Sequence, residues 1–118
     1  MYKVAIKNNS YKKVSPSLQR DIDDALNKLI FLISEKESYG ERFEQIFNNP
    51  QIKYDIFSKN FYTFKHHCHD SAQLRILYRF TREKDNSIVI ELHDFYHKKK
   101  NNKKYIKNFE LFVKNYQN

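Results

Sequence analysis

The segment from residue 60 to residue 97 contains three extended runs of aromatic and β-branched residues, and it constrains the fold more than any other part of the chain. Positions 73–81 alternate clearly between apolar and polar side chains, positions 60–68 alternate weakly, and positions 88–92 read IVIEL. Such runs are typical of β-strands, and the polar segment 83–86 predicts a hairpin turn between the last two. Alternation divides the middle strand into a core face (Leu74, Ile76, Tyr78, Phe80) and an opposite face (Arg75, Leu77, Arg79, Thr81).

The remaining elements follow from capping residues and helical periodicity. Alternation over positions 2–7 predicts a first strand, and Ser15 and Pro16 form a typical helix start before an apolar stripe over positions 18–33. Gly40 is expected as the C-cap of this helix. A short second helix over positions 41–47 and a last helix over positions 103–116 complete the pattern. The order predicts an α+β fold: a small twisted antiparallel sheet with two N-terminal helices and a C-terminal helix.

Length and composition limit the class of protein. A chain of 118 residues with 40% hydrophobic and 31% charged residues is expected to form one globular domain over residues 1–118. No run approaches the roughly 20 apolar residues that span a bilayer, and the N-terminus lacks the features of a signal peptide. Cys68 is the single cysteine, which excludes an internal disulfide. We therefore expect a cytoplasmic protein with no membrane partner.

The net charge of +8 is concentrated in the second half of the chain. Residues 1–58 hold nine Lys and Arg against eight Asp and Glu, whereas residues 59–118 hold thirteen against six. A basic surface in one half is typical of proteins that bind nucleic acid or another polyanion. The alternative is a solvated basic surface produced by codon bias, since lysine outnumbers arginine 17 to 5. Such a bias would act on both halves, so the asymmetry favours binding.

The predicted strands present a set of side chains suited to chemistry at an RNA phosphodiester. RNA can be cut by its own 2′-hydroxyl, so a protein must move two protons and neutralise charge on the phosphate, and it needs no metal for this. Arginine and lysine suit the phosphate, histidine suits proton transfer, and tyrosine can stack on a base. We assign the phosphate to Arg75 and Lys65, with Arg79 as second choice, and proton transfer to three histidines in an order left open. The candidate catalytic set is Lys65, His67, Arg75, His93, Tyr96 and His97.

Two structural conditions limit these assignments. Arg79 is equally able to pair with Glu91 across the hairpin, which would remove it from the binding set. The register of the hairpin is also open, because a slip of one residue would move His93 to the face opposite the arginines. The candidate set therefore acts together only if the strand pairing brings its members to one place.

A lysine cluster follows the last predicted strand. We predict that it contacts the phosphate backbone together with Arg79, and its members are Lys98, Lys99, Lys100, Lys103, Lys104 and Lys107. The alternative is a solvated loop and helix start. The nearby run His66–His69 contains residue types that bind zinc, and His93 and His97 would be further ligands. Adjacent strand residues point to opposite faces, however, so at most two residues of the run, such as His67 and His69, can share an ion. We predict neither a metal site nor a cofactor.

Three segments resemble the RelE/ParE superfamily of bacterial toxins. They are the helix pair after a first strand, the strand LRILYRF at 74–80, and the segment IELHDFYHKK at 90–99. The last of these is similar to the ending of the HigB-like branch, although Asp94 stands where that branch commonly has glycine. Lysines and asparagines stand where a Thr-Pro step often precedes the last helix. The resemblance covers most of the chain and implies a RelE-like sheet with two N-terminal helices on one side.

The resemblance also implies a function. Members of the HigB-like branch belong to type II toxin–antitoxin systems and cleave mRNA, usually on the ribosome, and a neighbouring antitoxin neutralises them. By position, Lys65 and His67 match basic residues of the second strand, and Arg75 matches an arginine of the third. The cluster at the end of the last strand is matched by His93, Asp94, Tyr96, His97 and Lys98. The expected partners are thus an antitoxin, mRNA and the ribosome. The alternatives are a ParE-like inhibitor of DNA gyrase and a non-catalytic RNA-binding module.

Overall fold

The structure, a computed structural model, describes residues 4–8, 13–68, 72–99 and 103–117, and at 4–8, 98 and 99 it describes the backbone alone. The α+β class and the predicted order of elements are confirmed. None of the helices within these ranges is long and apolar enough to cross a membrane. The elements are β1 (Val4–Asn8), α1 (Pro16–Ser38), α2 (Phe43–Ile46), β2 (Tyr62–His67), β3 (Ala72–Arg82), β4 (Ile88–Lys99) and α3 (Lys104–Asn115).

The strands form one sheet in the order β1-β4-β3-β2. Strands β2, β3 and β4 are antiparallel, as the sequence predicts. Strand β1 differs, because it pairs parallel with β4, with Val4 opposite Ile88. A parallel pair needs a long crossover connection, and here the helices and β2 and β3 all lie between the two strands in the chain. The sheet is therefore mixed, with β2 and β1 at its edges.

Helix α1 has the start that the sequence predicts and an end shifted by one residue. The Ser15 hydroxyl accepts a hydrogen bond from the Leu18 N–H at 3.2 Å, and Pro16 is the first helical residue. The C-cap is Tyr39, and Gly40 follows it with a φ of +82°. The N–H groups of Gly40 and Glu41 donate to the carbonyls of Glu37 and Lys36, at 2.9 and 3.1 Å. This is a Schellman motif, in which glycine supplies the left-handed conformation at C′. Helix α2 is shorter than predicted and spans Phe43–Ile46.

Each face of the sheet packs against a different set of helices. One face, called the α1 face, meets α1 and the α2 region in a core that includes Leu29, Phe64, Ile76 and Tyr78. The other, called the α3 face, meets α3 in a smaller core of Phe61, Leu77, Tyr105, Phe109 and Val113. The predicted core positions Tyr78 and Phe80 lie on the α1 face, where Tyr78 is fully buried and the Phe80 ring stacks on Phe47 at 3.9 Å.

A β-bulge in β4 decides which side chains share a face. Leu77 lies opposite Asp94 and the next residue, Tyr78, lies opposite Leu92, so His93 is an extra residue on β4. A bulge of this kind shifts the alternation of the strand by one position. After it, Phe95 packs in the core of the α1 face, as Leu92 does before it. Consequently Tyr96 lies on the α3 face and His97 on the α1 face.

Candidate functional site

A row of three predicted site residues crosses the antiparallel strands on the α3 face. Lys65 of β2 lies directly opposite Arg75 of β3, and Arg75 lies directly opposite Tyr96 of β4. Directly opposed residues of an antiparallel pair have Cβ atoms about 4.5–5.5 Å apart. The register thus brings half of the predicted catalytic set into contact distance. It also places two cations opposite each other, an arrangement that destabilises a sheet unless an anion compensates it.

Aromatic rings enclose the guanidinium group of Arg75. Its Cζ atom lies 4.5 Å from the ring centroid of Tyr54 and 5.0 Å from that of Tyr105. The Lys65 ammonium lies 5.0 Å from the same Tyr54 ring. At these distances the ring faces attract the cations. We call Tyr54, Lys65, Arg75, Tyr96 and Tyr105 the Arg75 cluster.

The Arg75 side chain has hydrogen-bonding capacity that the described part of the chain does not use. The residue is 2% exposed, and its Nε and Nη1 atoms are buried without a hydrogen-bond partner among the described residues. Leaving a buried donor unsatisfied costs about 1–3 kcal/mol, and more for a charged group. Arginine N–H groups bind phosphate and carboxylate oxygens. Each of the two donors is therefore suited to an oxygen of an anion from another molecule.

A hydroxyl network supports one side of the Arg75 cluster. The Tyr105 hydroxyl donates to Asp55 Oδ2 at 3.0 Å, and the Thr63 hydroxyl donates to the same oxygen at 2.7 Å. Burial raises the pKa of Tyr105, although the neighbouring Arg75 guanidinium opposes this shift. Tyr105 thus remains a neutral phenol near pH 7. Its proton is engaged by Asp55, which holds the ring in place against Arg75.

His67 lies at the solvent-exposed end of the same surface. It is two residues beyond Lys65 on β2, on the same face, and it lies opposite Gln73 of β3. Its side chain is exposed, in contrast to the buried Arg75. The Gln73 carbonyl oxygen Oε1 is buried and, within the residues that the structure describes, has no hydrogen-bond partner. His67 is consequently the predicted histidine that a polymer bound at the Arg75 cluster can contact.

The structure does not bring His93 to this cluster. His93 lies on the α3 face, as the sequence prediction required, but it is 5% exposed beneath α3. Its Nε2 atom lies 3.1 Å from Glu91 Oε2, and its ring contacts Phe61 and Tyr116 with centroids 5.0 and 5.2 Å away. These neighbours hold His93 inside the core of the α3 face. Its placement suits a packing role rather than contact with RNA.

His97 and Arg79 are also separated from the cluster. The bulge turns His97 to the α1 face, where its Nε2 atom lies 3.8 Å from Asp21 Oδ2. Arg79 lies opposite Glu91 in the register, the pairing considered above, and its guanidinium packs over the rings of Phe61 and Tyr116. The sheet stands between His97 and Arg75, so these two residues cannot act on one phosphate in this fold.

The lysine cluster continues the basic surface at the start of α3. Lys103, Lys104 and Lys107 are exposed, and the first turn of α3 contains no acidic residue. The positive end of the helix dipole disfavours cations there, so these lysines raise an already positive potential. In the register Lys98 lies opposite Gln73. Lys100 and the side chains of Lys98 and Lys99 lie outside the described residues.

Sequence reasoning missed several members of the site. Tyr54 and Asp55 lie in a segment between α2 and β2 where no periodic pattern exists, and Tyr105 lies in the predicted last helix, to which the sequence assigns no site residue except Lys103, Lys104 and Lys107. A single bridge between Ile56 and Tyr62 and the bonds between Asp55 and Thr63 hold this segment beside β2. The adjacency depends on a non-local pairing, so no local signal in the sequence predicts it.

Comparison of the chain with protein-family models, curated proteins and solved structures finds no match. The resemblance to the RelE/ParE superfamily therefore remains a prediction from the quoted segments.

Proposed function

We propose that this protein is the toxin of a type II toxin–antitoxin system and acts as a metal-independent endoribonuclease on single-stranded RNA bound at the Arg75 cluster. One observation carries the proposal: Lys65 and Arg75 lie directly opposite each other, and two buried Arg75 donors lack a partner among the described residues. A phosphate at this position would compensate both cations and accept a hydrogen bond from Arg75. The protein thus has a binding surface whose unpaired charge and donors match a phosphodiester.

Access to Arg75 depends on Tyr54. Its side chain is 45% exposed and its ring lies over both Arg75 and Lys65. An exposed ring can rotate outwards, and it would then uncover the guanidinium and offer its face to a base. Stacking of a base on an aromatic side chain contributes about 1–3 kcal/mol and tolerates different sequences. Binding at this site is accordingly expected to favour unpaired RNA.

The roles in cleavage follow from position. Arg75 and Lys65 neutralise the phosphate while the 2′-hydroxyl attacks, as electrostatic catalysis requires. His67 is the exposed imidazole on the same surface and transfers a proton, and Tyr96 contacts the ribose or base from β4. His93 and His97 have no direct role in this scheme, because one is buried under α3 and the other lies on the α1 face. The exposed lysines of α3 hold the adjoining backbone.

The partners follow from the same surface and from the family resemblance. The proposed substrate is mRNA, cleaved on the ribosome. The proposed location is the cytoplasm. The proposed antitoxin is an acidic protein that covers the Arg75 cluster and the start of α3 and so competes with RNA. A protein carrying Lys65→Glu should lose both interactions together.

A non-catalytic RNA-binding module is the second candidate, and one observation favours it. Of the three histidines predicted to transfer protons, His67 alone lies exposed on the α3 face, whereas cleavage by this route needs two proton transfers. Tyr96 or a solvent molecule would have to supply the second. Binding without cleavage requires neither.

The test uses purified protein, a labelled single-stranded RNA, and the same RNA with a 2′-deoxy substitution at the cleaved position. Cleavage of the first but not of the second supports the nuclease, and its loss in His67→Asn with retained binding assigns the proton transfer. Binding without cleavage, both free and on translating ribosomes, favours the second candidate. Inhibition of gyrase supercoiling with intact RNA would refute both and favour the ParE-like alternative.

Arg75→Met is the key variant for binding, and Arg82→Met is its matched control. Arg82 is an exposed arginine at the far end of β3, where it donates to Asn86 Oδ1 at 2.9 Å. Both changes remove one positive charge, so a general electrostatic effect would weaken RNA binding equally in both. A specific loss in Arg75→Met identifies the cluster as the binding site.

A further inference from the structure

Three potential metal ligands converge on the α1 face, away from the Arg75 cluster. They come from three different elements: Asp21 from α1, Cys68 from the residue after β2, and His97 from β4. One ligand atom of each, a carboxylate oxygen, the thiol sulfur and an imidazole nitrogen, lies within 4.8 Å of the other two. Of the three, Cys68 lies in the run 66–69 and His97 is one of the further ligands named for it, whereas Asp21 is distant from both in the chain.

The fold holds the three side chains by separate means. The Cys68 N–H donates to the Ala72 carbonyl at 2.9 Å, which fixes the backbone where β2 ends. His97 lies opposite Leu74 in the register after the bulge, and Asp21 is on the first half of α1 beside the buried Ile22. The bulge is decisive, because without it His97 would lie on the α3 face.

The spacing agrees with a shared ion. His97 Nε2 and Asp21 Oδ2 are 3.8 Å apart, which is longer than a hydrogen bond. In tetrahedral zinc sites, metal–ligand bonds of about 2.0–2.3 Å place neighbouring ligand atoms about 3.4–3.6 Å apart. The three donor atoms, all within 4.8 Å of one another, can reach that separation by rotation of these partly exposed side chains.

We propose that Asp21, Cys68 and His97 form a binding site for a zinc-class divalent ion, with water in the fourth position. Thiolate and imidazole together select Zn²⁺ over Mg²⁺ or Ca²⁺, which prefer oxygen ligands. Thiolate and carboxylate supply two negative charges that neutralise the ion. Binding releases the thiol proton, since the thiolate is the ligand. The bound ion connects α1 to the ends of β2 and β4 and stabilises the folded state.

The test measures metal binding to the purified, untagged protein. After equilibrium dialysis against Zn²⁺, the wild type should retain one equivalent, and Zn²⁺ should raise its Tm. Replacement by Co²⁺ should give a thiolate-to-cobalt charge-transfer band and the visible bands of four-coordinate cobalt. Asp21→Asn, Cys68→Ser and His97→Asn should each lose the retained zinc and the Tm increase. Circular dichroism of the metal-free variants establishes that each is folded.

Matched controls distinguish this site from weak surface binding. Asp23→Asn removes an exposed carboxylate of the same helix, which accepts a hydrogen bond from Gln19, and His67→Asn removes an exposed imidazole of the opposite face. Both should bind zinc as the wild type does. Less than one equivalent in the wild type, or full binding in Asp21→Asn or His97→Asn, would overturn the proposal. RNA binding at the Arg75 cluster is tested separately, since it requires no metal.

Discussion

Replacing Arg75 with methionine should leave the stability of the fold almost unchanged and should weaken RNA binding in the same variant. Methionine keeps an unbranched apolar stem between the rings of Tyr54 and Tyr105 and removes the charge and the donors. The two buried Arg75 donors without a described partner cost about 1–3 kcal/mol each, or about 2–6 kcal/mol together. The change also relieves the unfavourable pairing of two cations across β2 and β3.

The opposing terms are the loss of two cation–π contacts and of the hydrogen bond between Arg75 and the Tyr105 side chain. The two cation–π contacts together contribute about 1–4 kcal/mol, and a hydrogen bond to a charged group contributes about 1.5–3 kcal/mol. The centre of this combined range, about 4.8 kcal/mol, nearly cancels the gain of about 4 kcal/mol, so the stability should change by less than about 1 kcal/mol. For a domain of this size, that corresponds to a change in Tm of less than roughly 4 °C.

The affinity for RNA should change more than the stability does. A hydrogen bond to a charged group contributes about 1.5–3 kcal/mol, so Arg75→Met should weaken RNA binding roughly 10- to 150-fold. Stability is measured by urea denaturation and calorimetry, and affinity by fluorescence anisotropy with a labelled single-stranded RNA. Arg82→Met is the control and should change affinity little.

The stability and the RNA affinity of Arg75→Met together test whether Arg75 binds RNA. If Arg75→Met loses more than about 1 kcal/mol of stability while its RNA affinity is unchanged, Arg75 is a structural residue of the α3 face and the proposed site is wrong. A loss of RNA affinity equal to that of Arg82→Met would also contradict it, because general electrostatics would then explain the binding.

Three further predictions concern the surface, the helix end and the core. If about six phosphates are neutralised, the logarithm of RNA affinity should fall with the logarithm of salt concentration with a slope of roughly −4 to −5; a slope near zero in a salt titration would exclude a contact by the lysine cluster. Gly40→Ala should lower the unfolding free energy by about 1 kcal/mol, because alanine must adopt a φ of +82°. The added Cβ meets no atom within 4 Å, so the cost comes from the backbone and not from a clash. Urea denaturation measures this cost, with Ser34→Ala inside α1 as the control. Tyr78 is fully buried, its hydroxyl donates to the Ile52 carbonyl at 2.7 Å, and burial raises its pKa above the ordinary value of 10.0. Above pH 10 the Tyr78 hydroxyl loses its proton in the unfolded chain but keeps it in the folded protein. The free energy of unfolding is therefore unaffected by this group below pH 10 and falls above it. Tyr78→Phe should thus be less stable near neutrality by about 1–3 kcal/mol but should lose less stability above pH 10, and equal alkaline slopes in the two proteins would contradict this.

Local patterns were sufficient to predict most elements of the fold. Ser15 and Pro16 start α1 as expected, because a capping hydroxyl and a preset φ act on the nearest turn. Alternation along β3 assigned Tyr78 to the core and Arg75 to the opposite face, since strand geometry alone decides that division. The parallel pairing of β1 with β4 was not predictable in this way, because it depends on how the intervening elements pack.

The residues of the candidate site follow from the sequence, but their grouping does not. The sequence by itself determined a basic second half, three strands carrying Lys65, Arg75 and Tyr96, and the start of α1. The tertiary structure decided that a bulge at His93 turns Tyr96 toward Arg75 and His97 toward Asp21 and Cys68. One extra residue in a strand reverses the face of every later side chain, and strand pairing, a non-local interaction, selects where it occurs.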